Sequence, residues 1–294
     1  MGRIFYRNVK LKPATCNSAM KKTGQQKEDR DLRFQFGKNW ARFLTVLTEE
    51  RIAEAERSLC EMLSVESLEG QRFLDIGSGS GLFSLAARRL GATVRSFDYD
   101  PQSVACTREL KSRFFPDDAS WVIEQGSVLD ADYMRTLGPY NVVYSWGVLH
   151  HTGRMWDAMS NACASVGPGG RLFIAIYNDQ GFYSRVWRVL KRMYCSNWIG
   201  RVFTCSLGFP YFALVCLKED LVQRRNPFLR YREYKRNRGM SILTDWLDWF
   251  GGYPFEVASP DAVIEFCCKR GFELQKMKTC GTSLANNEFV FEKC

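Results

Sequence analysis

Two places in this 294-residue chain hold side chains whose types and spacing suit chemistry. The first is Asp75-x-Gly77-x-Gly79-x-Gly81. It lies between a short apolar run, Phe73 to Ile76, and a helical pattern in Phe83, Ala86, Ala87 and Leu90. Strand, glycine turn and helix together bring bare backbone N–H groups and a helix N-terminus up to a ligand. Seventeen residues past Gly81, a second strand pattern, Thr93 to Phe97, ends at Asp98. A carboxylate there can accept both hydroxyls of a ribose. The ligand these residues suit is nucleoside-like, held at the lip of a parallel sheet. The second place is Tyr144-Ser-Trp-Gly-Val-Leu-His-His-Thr-Gly153, which carries His150 and His151, the only two histidines in the chain. Imidazole titrates near neutral pH and can take a proton from a hydroxyl or an amine. Shaping a pocket or satisfying a helix start is the plainer alternative for either ring.

The glycine spacing decides which nucleoside. A dinucleotide turn, G-x-G-x-x-G, would place its third glycine at position 82, where the chain has Leu82. Asp75-x-Gly77-x-Gly79-x-Gly81 instead resembles the first motif of the class I S-adenosylmethionine-dependent methyltransferases. The resemblance covers roughly residues 38–178 and 259–292. It implies S-adenosylmethionine as cofactor, held by Asp75, Gly77, Gly79, Gly81 and Asp98. Ser127 and Val128, in the segment after strand three, would sit beside the adenine; family members often carry an acid where Ser127 stands. The segment after strand four is similar to that of small-molecule methyltransferases, including ubiquinone-pathway O-methyltransferases, where Leu-Glu-His is common. Leu149 and His151 match, and His150 replaces the acid. The resemblance places methyl transfer there, with His151, then His150, as candidate bases, and no metal is expected. Trp146 is expected to line the methionine or acceptor pocket, ordinary core being the alternative.

These residues need a frame to hold them. Strand and helix patterns alternate: a helix carrying Ile52, Ala55, Leu59, Met62 and Leu63, the two strands above, then a helix opened by Asp100-Pro101. Strands at Trp121 to Glu124, Asn141 to Trp146 and Leu172 to Tyr177 follow, the last entered through a Gly167-Pro-Gly-Gly170 turn. Ser259-Pro260-Asp261 starts a helix running to Gly271, before two final strands. The alternation predicts an α/β, doubly wound, mostly parallel sheet, and the resemblance implies seven strands. The expected organisation is a basic, disordered tail over 1–36, a core over 37–180, a helical insertion over 181–258 acting as a cap, and a closing segment over 259–294. In the insertion, Phe182, Val186, Val189, Leu190 and Met193 form one helical face with Arg185, Arg188, Lys191 and Arg192 opposite.

Net charge is +9, distributed unevenly. Residues 1–40 carry ten basic side chains against three acidic, and residues 182–240 thirteen against three, so the remainder is net acidic. Two basic segments suit anionic partners such as phosphate, RNA or a membrane surface, or are simply solvated faces. Trp198 to Leu217 is apolar but interrupted by Gly208 and Pro210, which reads as cap or interfacial helix rather than a span. None of the eleven cysteines falls in a C-x-x-C pair, and the N-terminus lacks the apolar core of a signal peptide. A cytoplasmic protein, peripheral to a membrane at most, is expected. The acceptor is expected to be a small or lipid-linked molecule methylated on O or N. One rival is an RNA methyltransferase using the basic insertion, the other a cofactor-binding regulatory protein without turnover.

Overall fold

The computed structural model of this chain describes Trp40, residues 43–224, Asn226, and residues 242–281 and 285–294. The expected tail over 1–36 and most of the basic run from Arg224 to Arg238 lie outside the described residues.

Helix α1 (Glu49–Leu63) leads into β1 (Arg72–Ile76), α2 (Leu82–Arg89), β2 (Thr93–Asp98), α3 (Pro101–Phe114) and β3 (Trp121–Gln125). Then come α4 (Ala131–Leu137), β4 (Tyr140–Trp146), α5 (Met155–Ala164) and β5 (Val166–Tyr177). Three helices follow, α6 (Phe182–Ser196), α7 (Trp198–Val222) and α8 (Ile242–Gly251), before α9 (Pro260–Cys268), β6 (Phe272–Lys278) and β7 (Asn286–Lys293). The seven strands form one sheet in the order β3-β2-β1-β4-β5-β7-β6. Strands β1 to β5 are parallel, and β7 is antiparallel to both β5 and β6. The order reverses between β1 and β4. The loops leaving those two strands therefore turn apart and open a crevice at their carboxyl ends.

Both sheet faces are buried, which is why the central strands read as nearly continuous apolar runs. Leu59, Leu85 and Leu110 pack on one face with Phe73 and Phe173, and Met134, Met159 and Val263 on the other with Leu74 and Ile174. Each such side chain contributes about 1.5–3 kcal/mol through burial. Caps sit where the sequence marks them: Asp100 accepts from the Gln102 amide at 2.9 Å, and Ser259 from Ala262 at 3.3 Å.

Two expectations need correction. The Gly167–Gly170 stretch is part of β5, not a turn before it. A Cβ on Gly170 would lie 2.8 Å from the Tyr140 carbonyl, so only glycine lets the strand start so close to β4. The pairing shifts register there, between Tyr140 and Val142. Helix α9 ends at Cys268, short of Gly271. Helix α6 does not simply bury its apolar face. Its buried residues are Ser184, Trp187, Lys191 and Tyr194, while Phe182 is 66% and Val189 58% exposed. Of the apolar face, Leu190 is partly buried against the insertion's interior.

What α6 packs on explains which residues it buries. Trp187, Tyr194, Phe250 and Phe255 form a small aromatic core with Phe209, Phe212, Trp246 and Trp249. Trp187 stacks on Phe212 with centroids 5.8 Å apart, and a Cβ on Gly208 would lie 2.0 Å from the Phe250 ring. These rings hold the insertion together.

Candidate functional site

Gly77, Gly79 and Gly81 all adopt positive φ, at 79°, 55° and 82°. L side chains rarely occupy that region, and the surroundings leave no room for one. A Cβ on Gly77 would meet the Val148 methyls at 2.5 Å, one on Gly79 the Trp40 indole at 3.0 Å, and one on Gly81 the Thr107 side chain at 2.9 Å. The turn is thus pressed between the loop after β4, α3 and Trp40. Its amides differ from expectation. Gly77 and Ser78 donate to the Phe97 carbonyl, Gly81 donates to that of Ser78, and Gly79 donates to Asp98 Oδ2 at 2.9 Å. These N–H groups are occupied inside the fold.

Asp98 is the hinge of this arrangement. Its Oδ2 accepts from Gly79 and its Oδ1 from Asp100, also at 2.9 Å. Asp75 sits differently. It is buried behind the turn, accepts from the Ser84 hydroxyl, and Ser84 in turn meets Ser96, to which Trp121 Nε1 donates. Burial pushes its carboxyl up to about 7, against the lowering effect of Ser84 and with a further push from Asp98. Asp75 fixes the sheet–α2 contact beneath the turn.

Beside Asp98, the turn after β3 is closed by Ser127, whose hydroxyl accepts from the Leu129 amide at 3.2 Å. The Val128 side chain enters the main core, and its carbonyl accepts from Asn161. At the tip of β4 the Trp146 ring is exposed rather than core, with its N–H donating to Glu288 at 3.2 Å.

The loop after β4 brings the histidines to the crevice. Val148 packs on Gly77, and Leu149–His151 form a single 3₁₀ turn directly after it. His151 is partly exposed, and its Nδ1 lies 2.7 Å from the Pro254 carbonyl. A carbonyl only accepts, so this contact sets the tautomer with the proton on Nδ1. His150 is 0% exposed, its ring 4.1 Å from that of Tyr177, and its Nε2 lacks a partner. Burial, then the neighbouring His151 and Lys191, hold its pKa well below the usual range, so it is neutral.

The sequence pattern of the family described as "Methyltransferase domain" matches residues 47–212, more than half of the chain. The chain belongs to this family. Among curated relatives, the ubiquinone biosynthesis O-methyltransferase of Brucella ovis is 33% identical over 119 residues, 38% of this chain and 43% of that protein. The same-named protein of a Caulobacter species is 27% identical over 141 residues, 46% and 51% of the two chains. The chain thus spans about half the length of these curated relatives. The magnesium protoporphyrin IX methyltransferase of Synechocystis, solved with bound SAH, superposes with a TM-score of 0.50 at 12% identity, covering 83% of each chain. PKMT2 from Rickettsia typhi, in complex with AdoHcy, gives 0.51 at 13% identity over 81% of this chain and 52% of that one. At such identities the two structures speak for the fold alone.

In this methyltransferase domain the glycine turn, Asp98 and the histidine turn meet at one switch point, as the sequence suggested. Several neighbours were not foreseen. Trp40 covers Gly79, and Tyr99, next to Asp98, is exposed while its carbonyl accepts from the Gln125 side chain at the end of β3. A strap over residues 249–258 braces the histidines: the Glu256 amide donates to the His150 carbonyl, and the Glu256 carboxylate accepts from the Met155 amide. Helix α6 in turn holds the strap, Arg188 donating to the Phe255 carbonyl at 3.0 Å and Lys191 to that of Trp249. The only hint in sequence was the aromatic-rich stretch around Gly251-Gly252; a buried lysine leaves none. Among the described residues no group of three or more His, Cys, Asp or Glu is placed to hold a metal, and no disulfide forms.

Proposed function

We propose that this chain is an S-adenosylmethionine-dependent methyltransferase acting on an oxygen or nitrogen of a small-molecule, lipid-linked acceptor. The observation that carries the reading is the meeting of the glycine turn, Asp98 and the histidine turn through the Gly77–Val148 and Gly79–Asp98 contacts. The glycines support a cofactor only through the tight turn they permit: Val148, Trp40 and Thr107 occupy the space that a Cβ at Gly77, Gly79 or Gly81 would need, which holds the turn close against Asp98 and the loop after β4. Bound there, S-adenosylmethionine supplies an electrophilic methyl group on a sulfonium.

In this reading the chain's residues divide the remaining work. Asp98 accepts the ribose hydroxyls, with Tyr99, Ser127 and Val128 bordering the base and Trp146 the mouth. Asp75 acts through the turn as a positioning residue. His151 takes the acceptor's proton on Nε2, its Nδ1–H being held by Pro254. Sealed and neutral, His150 is a positioning residue whose backbone and ring fix that geometry. The insertion serves as a cap that keeps water from the crevice. The O-methyltransferase relatives support a small acceptor, and the basic, apolar insertion supports one with a lipid tail.

Methyl-labelled cofactor incubated with fractionated cell extract tests the acceptor class: label should enter small molecules or lipid, whereas label in RNA would put the basic-insertion rival in its place. On the acceptor so found, His151→Ala should lower turnover by about 10²–10⁴-fold and leave cofactor affinity within about twofold. Full turnover in that variant removes the base from the scheme.

A further inference from the structure

Helices α6 and α7 carry an apolar surface that the fold leaves uncovered. On α7, Ile199, Phe203, Leu207, Leu214, Leu217 and Leu221 recur at helical spacing, and all are exposed, Leu207 at 57% and Leu214 at 65%. From Val202 to Leu217 no exposed residue bears a charge, a stretch of about 24 Å at 1.5 Å per residue. On α6, Phe182, Val186 and Val189 form a second exposed stripe. At about 100° per residue, Arg185 and Arg192 border one edge of that stripe. Soluble surfaces rarely expose contiguous apolar patches of this extent.

We infer that this face docks in the plane of a bilayer leaflet containing anionic phospholipid. By length and composition α7 could cross a membrane. Its other side, however, is built into the protein: Thr204, Gly208 and Asp220 are buried, and Phe209 and Phe212 join the aromatic core. A helix covered on one side offers lipid only its other half, which is the interfacial arrangement. Charge selects the occupant. Residues 182–240 carry thirteen basic side chains against three acidic; Arg185, Arg201 and Lys218 are exposed on these helices, and Arg224 in the turn that follows α7. A second copy would bring two such basic segments together, whereas an anionic leaflet complements them and accommodates arginine heads at the headgroup level.

This docking does not depend on the methyltransferase reading, and its assay needs neither cofactor nor acceptor. The full chain is sedimented with phosphatidylcholine vesicles and with phosphatidylcholine–phosphatidylglycerol vesicles. It should bind the second preferentially, and less so at high salt. Leu207→Glu/Leu214→Glu should weaken binding at least about tenfold while the melting temperature stays within a few degrees. Arg185→Gln/Arg192→Gln should reduce the preference for phosphatidylglycerol by about fivefold or more. Failure of the wild-type chain to bind phosphatidylglycerol vesicles would overturn the inference. So would undiminished binding by the leucine variant, or a soluble dimer that the leucine variant dissolves.

Discussion

Lys191 gives the sharpest numerical test of the way the cap grips the histidine strap. The side chain is 0% exposed, donates to the Trp249 carbonyl, and lies over the rings of Trp249 (4.1 Å) and Phe255 (4.9 Å). Burial lowers its pKa from 10.5 to about 7, a difference of about 5 kcal/mol between its two protonation states. Because the folded value lies below the unfolded one, the native state binds fewer protons between about pH 7 and 10.5, so stability rises with pH across that window. Below about pH 7 the protein carries the full cost of a buried ammonium. Lys191→Met keeps the length and apolar bulk but cannot titrate. It leaves the Trp249 carbonyl unsatisfied, which costs about 1–3 kcal/mol at every pH. The variant should therefore match or exceed wild type near pH 6 and fall behind as pH rises. The gap between the two should shift by about 2 kcal/mol from pH 7 to pH 9. Cys195, the thiol facing Lys191, is pushed up to about 11 by burial, and His150 is held well below its usual range, so neither changes charge in the folded protein between pH 7 and 9, and in the unfolded chain both titrate alike in wild type and variant. Urea unfolding of both proteins at three pH values measures the gap. A constant difference between pH 7 and 9 would refute the account of Lys191 as a buried, neutralising amine.

Two further outcomes concern the cofactor side. Asp98→Asn keeps one oxygen for a backbone amide but removes the charge, and should weaken S-adenosylhomocysteine binding roughly ten- to a hundredfold by calorimetry; unchanged affinity would take Asp98 out of the ribose contact. Asp75 has the opposite linkage from Lys191. Its folded pKa of about 7 lies above the unfolded value, so wild type loses stability as pH rises from about 4 to 7, and Asp75→Asn should gain on it by up to about 4 kcal/mol over that range in thermal melts. A gap that ignores pH would mean the carboxyl is ionised throughout.

The parts of the site legible in the sequence are those whose residue type is forced locally. Gly77, Gly79 and Gly81 each need positive φ, and each would collide with a neighbour if it carried a Cβ, so the backbone demand writes itself into the residue type. Asp98 ends a strand, and the end of a strand in a parallel sheet is where a ligand meets the fold. The histidines were found because they are two in a chain of 294 and follow a strand. Asp75 was legible as a motif residue but not as a buried one; its partners Ser84 and Ser96 come from the next helix and strand. The strap over residues 249–258 was illegible for the same reason, carried further. Pro254 acts through a backbone carbonyl, which no residue type records, and it lies 103 positions from His151.

The insertion shows a different limit. Periodicity separates the two faces of α6 but does not say which face the protein covers. Burying the aliphatic face would assume that the outer medium is water and that a basic face belongs in it. Here the covered face holds Trp187 and Tyr194, which supply larger rings than Val186 or Val189, and a lysine that the Trp249 carbonyl can satisfy. Once those rings meet Phe212 and Phe250, the aliphatic stripe has nowhere to go but out. The same substitution of partners accounts for α7, whose Gly208 admits Phe250 while its leucines face away. Two successive helices that both expose most of their aliphatic residues, together with rings such as Phe182 and Phe203, share a cause outside either helix. That shared orientation, more than the hydropathy of either segment, argues that the surface they expose was selected for something other than water.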